Sequence, residues 1–225
     1  MAGDRTGVLL ELEQCCREAG IELTQDAADG MRAFWRMVLA ANERINLTRI
    51  TGDEEATLKH FVDSLTVLLT GRFAPGARVV DVGTGAGFPG IPLKLARPEL
   101  QVLLVDATLK RVRFLETVIG HFGWGDVRAV HARAEDLARD RETAGQFDVA
   151  VARAVASLDK LVVWCLPLVR PQGHLVAMKG PDVEGELAAA EKVLRRMRAQ
   201  ILEVRRLELP RGAGRRTLVV VERGG

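Results

Sequence analysis

Twelve residues constrain this chain most: Val79-Val-Asp-Val-Gly-Thr-Gly-Ala-Gly-Phe-Pro-Gly90. A β-branched run, suited to a buried pleated strand, leads into Gly83, Gly85, Gly87 and Gly90, with Pro89 where a helix begins. Glycine permits positive φ and close backbone approach, and a helix N-terminus presents free N–H groups. Four glycines exceed what a tight turn needs, so the pattern predicts a strand, a ligand-binding loop and a helix. Gly85, Gly87 and Gly90 also satisfy the Gly-x-Gly-x-x-Gly spacing of dinucleotide-binding folds.

The flanking sequence places that unit in an α/β fold. Short β-branched runs at 78–82, 102–105, 127–130, 147–151 and 174–178 alternate with helical patterns near 90–97, 108–121, 134–140, 157–169 and 183–198. Such alternation predicts βαβ units and a parallel sheet covered on both faces. Runs at 201–209 and 216–222 flank a Pro-Arg-Gly-Ala-Gly turn and read as a hairpin. The expected architecture is Rossmann-like: a mostly parallel sheet with a C-terminal antiparallel strand, a layout frequent among methyltransferases. Residues 1–73 read as an N-terminal helical extension, with segments around Val8–Cys16, from Thr24 or Asp26 through Leu39, and from Asp53 to Gly71. Residues 74–225 form the main domain, the two together making one compact unit. A chain of this size buries roughly 70% of its unfolded surface, so the core needs no staples.

Several classes are disfavoured. Cys15, Cys16 and Cys165 have no metal-ligand spacing, and His60, His121, His131 and His174 fall on separate segments, so no metal is expected. No apolar run approaches transmembrane length and no signal peptide is evident, which predicts a cytoplasmic protein. The net charge of +2 neither demands nor excludes a polyanionic partner. A monomer is expected.

Two carboxylates decide which ligand suits the loop. Asp81, two residues before Gly83, would repel a dinucleotide pyrophosphate. It suits S-adenosylmethionine, which carries an ammonium and a cationic sulfonium. An NAD(P)-dependent oxidoreductase is therefore the alternative, and a ribosome-binding protein with a vestigial loop a third reading. Asp106 ends the second strand, where it can accept both ribose hydroxyls at about 1.5–3 kcal/mol per charge-assisted bond. Ala134-Glu135-Asp136 follows the third strand, where this fold holds adenine, although acids favour a helix start in any case.

These residues resemble the small-subunit ribosomal RNA methyltransferase G family, also called glucose-inhibited division protein B. The resemblance rests on Asp81 through Leu93 with its Pro-Gly-Ile-Pro, Lys110-Arg-Val-Arg-Phe-Leu115, Arg153-Ala-Val-Ala-Ser-Leu158, Lys179-Gly180, Asn46-Leu-Thr48 and His60-Phe-Val-Asp-Ser-Leu65. It implies methylation of guanine N7 in a conserved loop of 16S ribosomal RNA. It also implies cofactor contacts at Gly83, Phe88, Asp106 with Ala107 and Thr108, Ala134, Glu135 and Arg153. The loop residues Asp81, Thr84, Gly85 and Gly87 complete the expected cofactor set. Ala107-Thr108 stands where other members often carry Ser-Leu.

Guanine N7 has a lone pair and no proton to remove, so alignment rather than a general base is expected. Arg153 and Lys179 end adjacent strands and are the expected orienting groups, Arg153 towards cofactor or guanine O6 and Lys179 towards a phosphate. RNA contact is expected at Arg44, Lys110, Arg111, Arg113 and Lys179, with Arg49 and the tail residues Arg205, Arg206, Arg211, Arg215 and Arg216 adding attraction. Phe34 and Trp35 read as core. His60 and Asp63, three apart, read as a structural pair.

Overall fold

The computed structural model describes residue 9 and residues 11–225; Val8, placed by its spacing on the first helix, lies outside the described residues. Helix α1 covers Leu12–Glu18 and α2 covers Gln25–Ile45, where the Thr24 hydroxyl accepts from the Ala27 N–H as an N-cap. Leu9 is buried but stands outside α1 with φ 47°. The third segment is continuous but changes pitch: α3 (Asp53–Ala56), a π-helical turn (Thr57–Val62), α4 (Asp63–Leu65) and a 3₁₀ turn (Thr66–Thr70) that stops at Gly71. Its spacing reads as one regular helix; the π turn is a departure of a kind that recurs at functional sites.

Seven strands follow: β1 (Arg78–Val82), β2 (Gln101–Asp106), β3 (Val127–His131), β4 (Phe147–Arg153), β5 (Val169–Lys179), β6 (Ala199–Glu208) and β7 (Arg215–Arg223). Between them run α5 (Gly90–Ala96), α6 (Leu109–Phe122), α7 (Ala134–Leu137), α8 (Leu158–Cys165) and α9 (Glu184–Arg196). The sheet order is β3-β2-β1-β4-β5-β7-β6. The first five strands pair in parallel, and β7 enters antiparallel between β5 and β6. β5 starts five residues before the expected His174, because Arg170-Pro-Gln-Gly carries no strand signature yet lies in the same strand.

The chain runs outward from β1 to β3 on one side and from β4 onward on the other. Strand order therefore reverses between β1 and β4, and the crevice beyond their C-terminal ends is where such sheets bind ligands. Alternation along the strands sorts side chains onto two faces. Val79, Leu104, Val149 and Val151 pack with Phe34, Trp35 and Phe61 of the N-terminal helices. Val80, Val82, Val105, Ala150 and Ala152 pack on the opposite face with Leu161 and Leu166. The N-terminal helices, together with α5 and α6, thus supply one of the two covering layers that a parallel sheet requires. Among the described residues, no helix is long and apolar enough to cross a membrane.

Candidate active site

Gly83, Gly85 and Gly87 have φ of 73°, 62° and 104°, so each takes a conformation that L side chains rarely adopt. A Cβ on Gly90 would meet Leu104 Cδ2 at 2.3 Å and Asp81 Oδ2 at 2.8 Å, so that glycine serves close packing of α5 on the sheet. A Cβ on Gly85 would meet nothing within 4 Å, which leaves its backbone open to a ligand.

Asp81 lies beneath this loop and is fully buried. Its Oδ2 accepts from the Thr84 hydroxyl at 2.6 Å and from Gly90 N at 2.8 Å, holding both ends of the loop. Its Oδ1 is buried with no donor among the described residues. Burial pushes the carboxyl up to about 6, against the lowering pull of Thr84, Gly90 and Arg153. Asp81 and Thr84 are thus internal braces rather than walls of a cavity.

Asp106 is also buried and already engaged: Oδ1 accepts from Thr108 N at 2.8 Å and Oδ2 from Gly85 N at 2.9 Å. Arg111 approaches the same Oδ2 at 3.5 Å. A carboxylate has about four acceptor sites, so capacity remains. Beside it is a cavity of about 200 Å³ that brings together the expected Gly83, Asp106, Ala107, Ala134 and Glu135. Val82, Val105, Ala132, Arg133, Val155 and Trp164 complete its wall and were not expected. Trp164 gave no sequence signal because its place on α8 reads as ordinary packing.

Thr84, Gly85, Gly87, Phe88, Thr108 and Arg153 are not among its lining residues. Phe88 belongs to an aromatic cluster, with its ring 5.3 Å from both Phe34 and Phe61 and stacked on His60 at 4.5 Å. His60 Nε2 meets the Thr48 hydroxyl at 2.9 Å, and burial, aided by the charge of Arg153, lowers its pKa to about 3. The ring is therefore neutral near pH 7, a stacking partner rather than an acid or base.

Arg153 sits on the face of Val149 and Val151, with its guanidinium 5.4 Å from the Phe88 ring centroid. It donates to the carbonyl of Lys59 (3.1 Å), to Asp63 Oδ2 (3.2 Å) and to Ser64 Oγ (3.4 Å). Asp63 Oδ1 accepts from Arg216 at 3.0 Å. The expected His60–Asp63 pair is thus replaced by two separate partnerships, because Asp63 is claimed by cations from β4 and β7. The next residue, Ala154, has φ 55° and turns the chain so that Val155 reaches the cavity against Gly83.

Lys179, expected to hold a phosphate, donates to Ala156 O at 2.6 Å and pairs with Glu186 at 2.7 Å. Its side chain is 9% exposed, and Glu186 also accepts from Leu158 N. Lys179 therefore fastens the loop after β4, and its charge is already neutralised. The tail behaves likewise: Arg205, Arg206, Arg211 and Arg216 pair with Glu203, Glu184, Glu11 and Asp63. Arg44, Lys110 and Arg113, by contrast, are exposed and meet around one groove between α2 and α6. Among the described residues, no His, Cys, Asp and Glu side chains gather as a metal site.

The sheet order, the glycine loop and the acidic residues in β1, at the end of β2 and after β3 define a methyltransferase of the class that uses S-adenosylmethionine. A SAM-dependent methyltransferase from Aquifex aeolicus has this fold, with a TM-score of 0.54 at 19% identity over 74% of this chain and 92% of its own. The family described as GidB, rRNA small subunit methyltransferase G, matches residues 27–218, and this chain belongs to it. Curated relatives named ribosomal RNA small subunit methyltransferase G agree. The protein of Thermoanaerobacter sp. (strain X514) is 40% identical over 86% of this chain and 81% of its own. That of Lactobacillus acidophilus is 42% identical over 90% and 85%.

Proposed function

We propose that this protein transfers the methyl group of S-adenosylmethionine to N7 of a guanine in 16S ribosomal RNA, acting in the cytoplasm on the small ribosomal subunit or its RNA. The observation that carries the reading is the convergence of Gly83, Asp106, Ala134 and Glu135 on one cavity at the ligand-binding edge of the sheet. The fit to a cationic cofactor rests on the carboxylates of Asp106 and Glu135 at that cavity, with the buried Asp81 beneath the loop adding negative potential. Calorimetry should give saturable binding of S-adenosylhomocysteine and none of NAD; the reverse result would return the site to the oxidoreductases.

S-adenosylmethionine supplies a methyl group on a sulfonium that leaves as a neutral thioether. Asp106 would hold the ribose through its remaining lone pairs, and Ala134 and Glu135 would hold the adenine. Asp81 fixes the loop and sets a negative potential beneath it. The nucleophile is a free lone pair, so no residue has to remove a proton, consistent with a neutral, partly buried His60. Arg153, held by Asp63 and Phe88, orients rather than reacts. Replacing it with lysine keeps the charge but loses the planar fork. The Arg153→Lys variant is expected to lose kcat on the order of 100-fold, with S-adenosylhomocysteine affinity little changed; wild-type turnover would remove Arg153 from the mechanism.

Asp81 gives a signed pH dependence. Its folded pKa of about 6 lies above the ordinary 3.8, so the native state holds the proton more tightly. Its contribution to stability is then greatest below about pH 4 and declines as pH rises towards 6. Binding of a cationic cofactor favours the ionised form, so affinity should fall as pH drops below about 6. Asp81→Asn should flatten both trends and weaken cofactor binding at pH 7.5. Calorimetry and urea titration across pH 4–8 read both; an unchanged affinity profile in the variant would remove Asp81 from cofactor recognition.

A further inference from the structure

A cavity of about 560 Å³ lies away from the cofactor residues, between α2 and α6. Its floor is apolar, formed by Met37, Ala41 and Phe114, and its rim carries Arg44, Lys110 and Arg113. No Asp or Glu lines it, and among the described residues none of the three cations pairs with a carboxylate. That separates them from the tail arginines, most of which are neutralised. Lys110 lies in the first turn of α6, four residues beyond Asp106, so the groove begins at the same edge of the sheet as the cofactor cavity.

We propose that this groove binds an unpaired nucleotide of the substrate RNA other than the reacting guanine. Its base enters the apolar floor and its flanking phosphates lie on Arg44, Lys110 and Arg113. The inference rests on the RNA methyltransferase reading above and adds a second subsite to it. An apolar slot alone suits many ligands, and a basic rim alone suits any polyanion. Their combination suits a flat ring that carries phosphates on either side, which single-stranded RNA presents when a base is splayed out. Its volume is within the range of small-ligand sites, ~300–1,000 Å³, and the groove is open rather than enclosed, as a site for one nucleotide of a continuing strand must be. Held there, a neighbouring nucleotide fixes the register of the strand and so selects which guanine reaches the methyl donor.

The test uses the full chain with small-subunit RNA as substrate. Ala41→Trp fills the slot from α2; Thr117→Trp, at an exposed position on α6, fills it from the other side if the first variant folds poorly. Either is expected to raise the KM for RNA about tenfold or more, with kcat within twofold of wild type and S-adenosylhomocysteine affinity unchanged. Lys110→Ala with Arg113→Ala should lower the slope of log affinity against log salt by about 2, one per lost phosphate contact. A folded tryptophan variant with wild-type KM overturns the nucleotide subsite. If the wild-type protein itself transfers no methyl group to RNA, the reading of the reaction fails instead.

Discussion

Asp63→Ala is expected to destabilise the protein by about 3–5 kcal/mol, the usual cost of removing one partner from a buried ion pair. For a chain of this size that corresponds to a fall in Tm of about 6–20 °C. Asp63 is only 4% exposed and neutralises two arginines, Arg153 at 3.2 Å and Arg216 at 3.0 Å. The cost comes less from lost attraction than from leaving the Arg153 guanidinium buried without its counter-charge. Removing all three groups, with Asp63→Leu, Arg153→Met and Arg216→Met, should therefore recover most of the stability while abolishing turnover. Urea unfolding of the single and triple variants checks this. A triple variant as unstable as Asp63→Ala would show that the loss has another origin. The pairing matters for function because Arg153 follows from β4 and Asp63 from the helical extension: the helices brace the site as well as covering the sheet.

Asp106→Ala is expected to weaken S-adenosylhomocysteine binding by about 100-fold or more, from two charge-assisted bonds of about 1.5–3 kcal/mol each. The variant also frees Gly85 N and Thr108 N from their acceptor, so the loop that Asp106 ties to β2 loosens. Asp106→Asn keeps one oxygen acceptor and should fall between wild type and alanine. Calorimetry at fixed pH measures all three proteins. Equal affinity in wild type and Asp106→Ala would exclude Asp106 as the ribose-binding residue.

Features carried by local pattern were legible in the sequence. β1 spans Arg78–Val82 as its β-branched run indicates, α2 begins at the Thr24 cap, and the closing pair of strands follows from its glycine turn. The glycine loop and Asp106 point to the cavity because their spacing is local. What depended on distant partners was not legible. Asp63 meets Arg153 ninety residues away and Arg216 still further along, and Lys179 is neutralised by Glu186 on α9. Nothing in a linear charge pattern distinguishes these cations from Arg44, Lys110 and Arg113, which pair with no carboxylate among the described residues.

Asp81 is a different case, since its signal was present. Side chains alternate along a strand, so Asp81 shares the face of Val79, which the N-terminal helices cover, whereas Val82 lines the cavity. Arg153 shares the face of Val149 and Val151 by the same rule. Position along the chain placed both at the ligand edge; parity placed them on the braced side of it. The π turn at Thr57–Val62 had no such signal, because its residues keep ordinary helical spacing and only tertiary packing changes the pitch.

The most direct test is nucleoside mass spectrometry of unmodified 16S ribosomal RNA, free or in small subunits, after incubation with the purified protein and S-adenosylmethionine. The account predicts one new 7-methylguanosine per RNA. No methyl incorporation, or a methyl group on any other atom, would contradict it.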